Sequence, residues 1–512
     1  MKIYMETLGC PKNFNDSEVV AGILERTGHE VFFADEDQEK VIRAADAVIV
    51  NTCGFINDAK KESIDVILEM AKVCRGKKRK LLIVTGCLSQ RYGEELFEEI
   101  PEADLILGVN DYEKLPELLD EYSAETSADP KRQKHLNPYE KEFEPGCRKL
   151  FGEKSSRTLK IAEGCNNRCS YCVIPQIRGP YRSRPKEEIL KEAETLAKDG
   201  CKELILIAQD VTAWGTLQRS PDIKAANRGK LAEAPAADKK EGSGGDLPEL
   251  LRELAKIRGI KWIRLMYCYP ERISDELIEV MASEEKICNY IDMPLQHVNS
   301  RILNAMNRHS NKKDIREIVG KLRAAMPDIH IRTTFITGFP GETEEEYKEL
   351  MDFAEEMKFE RMGAFAYSRE EGTKAAEMPD QIPEEIREER RDALMRRQAD
   401  ISLAVNMKKI GKITAVLIEE EDEENLLPAE MSGDGAETRQ GEGSGDGAET
   451  RQGEGSGDGA EKAHVYIGRS PYDAPEIDDS VIVKTDKKHM PGDMIRVKIT
   501  DAFDYDLTGE EV

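Results

Sequence analysis

The stretch TLKIAEGCNNRCSYC, residues 158–172, decides the fold in the middle of this 512-residue chain. A run typical of a β-strand ends in glycine and opens into a loop with cysteines at 165, 169 and 172. Further strand candidates follow, six in all between residues 155 and 390, and helical patterns separate them. Strands that alternate with helices form parallel sheets, so this region predicts a partial, open (βα)6 version of the eight-unit TIM-like barrel.

Residues 1–122 alternate in the same way. The strand candidates KIYMETLGC, DAVIVNTCG, KLLIVTGC and DLILGV are separated by helical patterns such as ESIDVILEMAKVC. This order predicts an α/β domain with a doubly wound parallel sheet. Residues 123–154 are polar and contain several prolines, which is typical of a linker.

Residues 391–512 have a different pattern. After a charged helix, strand candidates follow one another with no helix between them, which predicts a small antiparallel β-barrel. The motif SGDGAETRQGEG occurs at 432–443 and again at 444–455, inside an insertion over 425–462. Such acidic, glycine-rich repeats cannot bury a core and predict disorder, as does a Gly-, Ala-, Lys- and Ser-rich insertion at 215–246.

Composition narrows the functional classes. The formal net charge is −26, which disfavours nucleic acid as the primary target and favours a basic partner or a small substrate. The N-terminus has no signal-peptide pattern, and no apolar run is long enough to span a bilayer. We therefore expect a cytoplasmic protein that does not use a membrane. Its eleven cysteines indicate metal or redox chemistry rather than disulfides.

Cys165, Cys169 and Cys172 form the first cysteine group. They follow a barrel strand, at the C-terminal mouth where catalytic groups collect. Three thiolates in one loop can hold three irons of a [4Fe–4S] cluster and leave the fourth iron open to a ligand. The alternatives are a structural zinc site, which more often pairs two C-x2-C units, and a chance grouping.

Cys10, Cys53 and Cys87 form the second group, although they are far apart in sequence. Each ends a strand candidate and has a glycine nearby, and the ends of parallel strands share one edge of a sheet. This placement predicts a second cluster with an open iron, whereas the alternative is three separately buried thiols. Packing is the expected role of the other five cysteines, Cys74, Cys147, Cys201, Cys268 and Cys288.

The first cysteine group resembles the signature of the radical S-adenosylmethionine superfamily, including the aromatic Tyr171 before the last cysteine. The resemblance implies that S-adenosylmethionine chelates the open iron and is cleaved to a 5′-deoxyadenosyl radical. It also implies that Tyr171 lies near the adenine, whereas simple loop packing is the other interpretation of this residue.

Two three-cysteine sites followed by a small TRAM-like barrel resemble the methylthiotransferases. The run LGCPKNFNDSE, residues 8–18, is similar to the ribosomal-protein branch, called RimO-type, although Asn15 stands where that branch has an apolar residue. The resemblance implies methylthiolation of the β-carbon of an aspartate in ribosomal protein S-twelve. It further implies two [4Fe–4S] clusters, with the methylthio group formed at the N-terminal cluster and the radical at the barrel cluster. A basic small-subunit ribosomal protein, an electron donor and a monomeric enzyme complete the expectation.

Several further residues are candidates. Gln209 and Asp210 end the second barrel strand at the catalytic mouth, where contacts to the cofactor are expected. Gly338 begins the run GFPGE, which by resemblance shapes the cofactor pocket, or else forms a structural turn. For His297, at a strand end, packing or a hydrogen bond is favoured over metal ligation. Lys12 and Asn13 follow Cys10 closely enough to reach its site.

Two other functions are compatible with the same motifs. A methylthiotransferase acting on a modified adenosine of tRNA would share the machinery, but the acidic C-terminal region would repel phosphate. A non-catalytic iron–sulfur carrier would need no barrel with a cofactor cavity, so the complete set of βα units disfavours it.

Overall fold

Six parallel strands form the N-terminal sheet of the protein, which is described here as a computed structural model. Their order across the sheet is β2-β1-β3-β4-β5-β6, and helices cover both faces with separate apolar cores. The predicted doubly wound sheet is confirmed. The strands β1–β6 are Lys2–Thr7, Glu30–Phe33, Ala47–Thr52, Leu81–Gly86, Leu105–Leu107 and Gln133–His135. The helices α1–α5 are Pro11–Arg26, Gln38–Ala44, Asn57–Cys74, Cys87–Glu99 and Leu115–Ala124.

Two strands of this sheet differ from the sequence prediction. β2 has the four-residue sequence EVFF, which was not singled out as a strand. β6 has the sequence QKH and lies inside the segment 123–154 that was predicted to be a linker, yet it pairs in parallel with β5. An edge strand pairs on one side only and needs few apolar residues, so composition alone does not reveal it.

A second parallel sheet forms the middle of the chain, in the order β14-β13-β12-β11-β10-β7, with β7 and β14 as its two edges. This arrangement confirms the partial barrel of six βα units. The strands are β7 Ser156–Lys160, β10 Glu203–Ile207, β11 Trp262–Leu265, β12 Ile287–Asp292, β13 His330–Thr337 and β14 Arg361–Ala366. Between β7 and β10, the two-residue strands β8 Ala162–Glu163 and β9 Arg182–Ser183 pair antiparallel.

The helices of this region lie between the strands, as the alternating pattern predicted. Several begin with a side-chain cap: Asn311 and Thr343 each accept from the backbone of the first turn and complete a capping box. The helices α6–α13 are Ile174–Arg178, Lys186–Lys198, Leu247–Ala255, Asp275–Ser283, Ser300–Ala305, Lys312–Ala325, Glu344–Met357 and Glu384–Asn406.

The C-terminal strands close into a five-stranded barrel in the order β15-β16-β17-β19-β18. The small barrel is confirmed with one difference, since β17 and β19 pair in parallel while the other pairs are antiparallel. β19, with the sequence LTGEE, was missed because it is short and mostly polar. The strands are β15 Ile413–Glu421, β16 His464–Arg469, β17 Val481–Thr485, β18 Met494–Ala502 and β19 Leu507–Glu511.

The chain divides into two units, Met1–Ser402 and Leu403–Val512. No helix among the described residues is long and apolar enough to cross a membrane. The two predicted disordered insertions and Cys147 lie largely or wholly outside the described residues. The structure describes residues 1–33, 38–76, 79–124, 131–138, 148–152, 154–215, 245–422 and 464–512.

Candidate active site

The three barrel cysteines lie in one loop whose ends are tied together by the β8–β9 ladder. Gly164, at the start of this loop, has a φ of +79°, and a Cβ atom there would lie 2.1 Å from the carbonyl oxygen of Pro180. Only glycine allows that approach. Immediately after it, the Cys165 amide donates to the Gly179 carbonyl at 3.1 Å. The two ends of the loop are therefore fixed against each other.

The middle of the cysteine loop is held by elements distant in sequence. The Ser170 amide donates to the Met306 carbonyl at 3.0 Å, and the Ser170 hydroxyl donates to the Ala305 carbonyl at 2.8 Å. On the other side, the Ala375 amide donates to the Ser170 carbonyl at 2.8 Å. These bonds order the backbone between Cys169 and Cys172 without using a cysteine sulfur.

Burial favours the protonated thiols of Cys165 and Cys172. It raises the pKa of Cys165 to about 12, and it raises the pKa of Cys172 further, although the Ile174 amide donates to the Cys172 sulfur at 3.4 Å. The hydroxyl of Tyr269 lies 3.8 Å from the Cys169 sulfur. A metal that binds here must displace the thiol protons, so metal loading and deprotonation are coupled.

The N-terminal cysteines meet at one edge of the first sheet. Cys10 occupies the N-cap of α1, Cys53 follows β3 directly, and Cys87 is the first residue of α4 after β4. The strands β1, β3 and β4 are neighbours in the sheet. The sequence prediction that these cysteines follow strand ends along one edge is therefore confirmed.

Gly9 lets the first and third strand loops approach each other. Its φ is +90°, and a Cβ atom added there would lie 2.6 Å from the Cys53 Cβ and 2.9 Å from the Cys53 sulfur. Any other residue would strain the backbone and displace Cys53. Because Gly9 has no side chain, the space beside the Cys53 sulfur stays open.

The two cysteine sites are adjacent within Met1–Ser402. Cys87 forms a small buried apolar cluster with Val173 and Ile177, and Val173 directly follows Cys172. In addition, Arg178 Nη2 donates to the Cys87 sulfur at 3.0 Å. The helix that leaves the barrel cysteine loop thus rests on a cysteine of the other site.

Buried ion pairs join the N-terminal sheet to the barrel beside these sites. The Asp16 carboxylate on α1 accepts from Lys160 and, at 2.5 Å, from Arg178. Lys160 also donates to Glu163 at 2.9 Å. Burial alone would raise the pKa of Glu163, but Lys160 and Arg178 together hold it well below its ordinary value. This four-residue ion cluster is charged although it is almost completely buried.

A second ionic contact joins α3 and α4 to the segment that follows β14, next to Gly54. Glu370, which follows β14 and is 3 % exposed, accepts from Lys60 at 2.9 Å and from Arg91 at 2.8 Å. Arg91 also donates to the carbonyl of Gly54 at 3.0 Å. Both ends of the N-terminal cysteine site are therefore attached to the barrel.

The donor chemistry of both sites fits an iron–sulfur cluster. All cysteines within the described ranges are free. Within those same ranges, no three His, Cys, Asp or Glu side chains converge on a single metal ion. A single zinc ion needs every sulfur about 2.3 Å from one centre, whereas a cubane takes each thiolate on a different iron. Three thiols without a fourth ligand, beside a backbone approach that leaves room, suit a cubane with an open iron.

The structure places the predicted cofactor contacts at the barrel mouth. Gln209 Nε2 donates to Glu163 at 2.7 Å, and Tyr171 packs on an apolar cluster that includes Phe339. The Gly338 amide donates to Glu342 at 2.6 Å. These contacts account for a structural role of each residue, and cofactor binding by Tyr171, Gln209 and Gly338 stays a prediction.

His297 and Asp210 are fixed by hydrogen bonds. The His297 ring lies 3.0 Å from Glu342 through Nε2 and accepts from the Asn299 amide at 3.0 Å through Nδ1, so the hydrogen-bond interpretation is confirmed. Asp210 accepts from Asn167 at 2.9 Å and also pairs with Arg272. Asp210 therefore orients the residues between the first two barrel cysteines.

Lys12 and Asn13 both reach beyond their own helix. The Lys12 ammonium lies 3.5 Å above the ring of Tyr267, at the end of barrel strand β11, and Asn13 Oδ1 accepts from the Cys87 thiol at 3.6 Å. Burial would lower the pKa of Lys12, but Tyr267 and the nearby Cys10 raise it overall. The expected reach of these residues toward the N-terminal site is thus observed for Asn13.

Sequence reasoning missed Asp16, Lys160 and Arg178. A charged residue in a helix or beside a glycine-rich loop is ordinarily exposed, so nothing in the sequence marks these three as buried partners. Asp16 lies in the quoted run 8–18 and Lys160 in the quoted run 158–172, yet neither run shows that these charges are buried.

Known proteins match this chain along nearly its whole length. Residues 159–354 match the radical SAM superfamily, residues 2–108 the Uncharacterized protein family UPF0004, and residues 457–512 the TRAM domain. The ribosomal protein uS12 methylthiotransferase RimO of Clostridioides difficile strain 630 is 43% identical over 511 residues, which cover 100% of this chain and 98% of that protein. The RimO protein of Geobacter sulfurreducens is 41% identical, covering 99% and 98%.

This chain belongs to the ribosomal protein uS12 methylthiotransferase family. The predicted enzyme class is confirmed, and membership of this radical SAM family brings [4Fe–4S] clusters and S-adenosylmethionine as cofactors.

A solved structure supports the fold of the family at much greater distance. The radical S-adenosylmethionine methyltransferase TsrM from Kitasatospora setae, determined with cobalamin and a [4Fe–4S] cluster, is 16% identical. Its TM-score is 0.50, and the match covers 71% of this chain and 74% of TsrM. At this identity the likeness concerns the fold alone.

Proposed function

We propose that this protein attaches a methylthio group to ribosomal protein uS12, at the β-carbon of an aspartate, with S-adenosylmethionine as the source of the methyl group and of the radical. The observation that carries the proposal is full-length similarity to the uS12 methylthiotransferases. The contact of Cys87 with Val173 supports it, because transfer between two sites requires that they be neighbours.

The proposed roles of the cysteines follow from their placement. Cys165, Cys169 and Cys172 hold one cluster, and Cys10, Cys53 and Cys87 hold the other. When bound, the barrel cluster would supply the electron that cleaves S-adenosylmethionine, and the N-terminal cluster would carry the sulfur species that is methylated and transferred.

The protein itself provides order and a dry environment. Asp210 fixes the loop residue Asn167, and the Tyr181 hydroxyl donates to the Asp210 carbonyl at 2.9 Å. Gln209 holds Glu163 next to Gly164, where the cysteine loop begins. A rigid, buried surrounding keeps a reactive radical from water and from unintended hydrogen atoms.

The partners follow from charge and domain content. The acidic C-terminal region attracts a basic ribosomal protein, which mainly raises the rate of encounter. The TRAM domain suggests an additional contact with RNA, which on a ribosome lies beside the protein substrate. An external electron donor, a monomeric enzyme and a cytoplasmic location belong to the same proposal.

The TRAM domain also favours a second candidate, methylthiolation of tRNA. Mass spectrometry of uS12 and of tRNA nucleosides from a strain that lacks the gene separates the two candidates. We expect uS12 to lose one methylthio group and tRNA to be unchanged, with restoration by the wild-type gene. Loss of a tRNA modification with intact uS12 would overturn the proposal.

Iron analysis tests the two sites separately. Anaerobically reconstituted protein should hold about eight irons, and the variant with Cys10, Cys53 and Cys87 all changed to Ala should hold about four. That variant should still cleave S-adenosylmethionine. A full iron content in the triple variant would refute the assignment of the N-terminal ligands.

A further inference from the structure

Arg178 is a charged donor that bonds directly to a sulfur of the six site cysteines. It ends α6, the short helix that begins two residues after Cys172. Its Nη2 donates to the Cys87 sulfur at 3.0 Å and to Asn13 Oδ1 at 2.8 Å. Its Nη1 donates to Asp16 at 2.5 Å.

The position of Arg178 is fixed from several directions. Its side chain is 4 % exposed, and its partners Asp16 and Asn13 are buried as well. Asp16 is held in turn by Lys160. A planar guanidinium with donors pointing to a carboxylate, an amide oxygen and a sulfur cannot be replaced by the single ammonium of lysine without loss of contacts.

The charges of the ion cluster balance without the Cys87 sulfur, so Arg178 can also donate a hydrogen bond to that sulfur. Lys160 already pairs with both Asp16 and Glu163, so the two cations and two anions of the ion cluster balance. The thiolate of Cys87 would then add a negative charge that accepts a charge-assisted hydrogen bond in a dry site. At the barrel loop, Arg272 and Arg308 act on the thiols of Cys165 and Cys172 through their charge, whereas Arg178 bonds directly to the Cys87 sulfur.

We propose that Arg178 is a positioning residue for the N-terminal cluster: it orients the Cys87 sulfur and raises the reduction potential of the cluster that this sulfur binds. Hydrogen bonds to cluster sulfurs raise such potentials, because they stabilise the additional negative charge of the reduced state. The inference rests on the proposed cluster at Cys10, Cys53 and Cys87, but not on the identity of the substrate.

A redox titration followed by electron paramagnetic resonance tests this inference. The full chain is reconstituted anaerobically with Cys165, Cys169 and Cys172 changed to Ala, so that only the N-terminal cluster contributes a signal. Arg178→Gln should keep about four irons and shift the midpoint potential to a more negative value. Arg178→Lys, which keeps the charge, should restore part of the shift.

Arg184→Gln is the matched control, because Arg184 is similarly buried and pairs with Glu192 at 2.7 Å but forms no hydrogen bond to a cysteine that the structure describes. It should leave the midpoint potential at the wild-type value. An unchanged potential in an iron-loaded Arg178→Gln protein would overturn the proposal, as would an equal shift in Arg184→Gln.

If Arg178→Gln does not retain iron, Arg178→Lys takes its place. A negative shift of the midpoint potential of Arg178→Lys relative to wild type supports the proposal, and a potential equal to that of wild type refutes it. Absence of methylthio transfer to uS12 would bear on the proposed function alone, since the potential is measured without substrate.

Discussion

The two cysteine sites of this protein are built in opposite ways. The barrel site takes its three cysteines from eight consecutive residues, 165–172, in a loop tied at both ends by the β8–β9 ladder. The N-terminal site takes one cysteine from each of three strand ends and therefore exists only when β1, β3 and β4 pair in the correct order. The first site depends on a short loop, and the second depends on a complete sheet.

The electrostatic surroundings of the sites differ as well. In the barrel loop, the sulfurs of Cys169 and Cys172 contact neutral groups, the Tyr269 hydroxyl and the Ile174 amide. In the N-terminal site, Cys87 contacts the charged Arg178. Burial raises the pKa of Cys87 to about 12, although Arg178 acts in the opposite direction. The site whose cysteines come from separate segments of the chain therefore also has a charged hydrogen-bond donor from a further segment, Arg178.

The largest expected contrast comes from single cysteine replacements. Cys169→Ala should abolish formation of 5′-deoxyadenosine, because the cluster that cleaves S-adenosylmethionine loses a ligand. Cys53→Ala should retain that cleavage and abolish methylthio transfer. Liquid chromatography with mass spectrometry measures both products. The buried Cys201, whose thiol donates to the Glu203 carbonyl, supplies the control, since Cys201→Ala should keep both activities. Equal loss of cleavage in Cys53→Ala would remove the distinction between the sites.

Asp16→Asn should cause the next largest effect, on stability rather than on chemistry. It leaves Lys160 and Arg178 without their shared anion, and breaking a buried ion pair costs about 3–5 kcal/mol. Urea unfolding measures the loss, and hydrogen exchange should show early opening of α1.

The control for Asp16→Asn is the exposed pair of Lys348 and Asp352, whose atoms lie 2.7 Å apart. Asp352→Asn should change the free energy of unfolding by no more than about 0.5 kcal/mol. If the two variants lose equal stability, the buried cluster does not hold the sheet and barrel together.

Gly9→Ala should damage the N-terminal site selectively. The new Cβ would require a left-handed alanine and would clash with Cys53. Gly28 has a similar φ of +87° with nothing within 4 Å, so Gly28→Ala isolates the backbone strain, which is on the order of 1 kcal/mol. Gly9→Ala should lose more stability than this and should lose iron from the N-terminal site. If Gly9→Ala and Gly28→Ala have equal effects on stability and iron content, glycine at position 9 is needed only for its left-handed backbone conformation.

Glu370→Gln should have the smallest and the most pH-dependent effect. Burial alone would raise the pKa of Glu370, but hydrogen bonds from Lys60, Ser368 and Arg91 lower it overall. A lowered pKa stabilises the fold above the ordinary value of 4.5, and this contribution is lost as the pH falls below it. The free energy of unfolding of the wild type should exceed that of the variant by about 1 kcal/mol at pH 7, and the difference should narrow below pH 4.5. A difference in the free energy of unfolding that does not change with pH would contradict the ionic role of Glu370.

The sequence was sufficient for features that depend on local pattern. Alternating strands and helices indicated both parallel sheets, and the spacing of Cys165, Cys169 and Cys172 indicated the barrel site. The N-terminal site was also accessible, because the ends of parallel strands must share an edge. β6 and β19 were missed since their few polar residues give no strand signal.

The contacts between the N-terminal sheet and the barrel could not be predicted from the sequence. Asp16, Lys160 and Arg178 are buried only because two domains cover them, and residue type alone predicts exposure for each. Such pairs can be found only after both sheets have been placed.

Helix α1 has a consequence for how the chain is made. Its first half buries the charged residues Asp16 and Glu18 against the barrel rather than against its own sheet. The ribosome releases the N-terminal sheet before the barrel exists, and this half of α1 then faces water. Because Asp16 and Glu18 are charged, this part of the helix stays hydrated until the barrel is made.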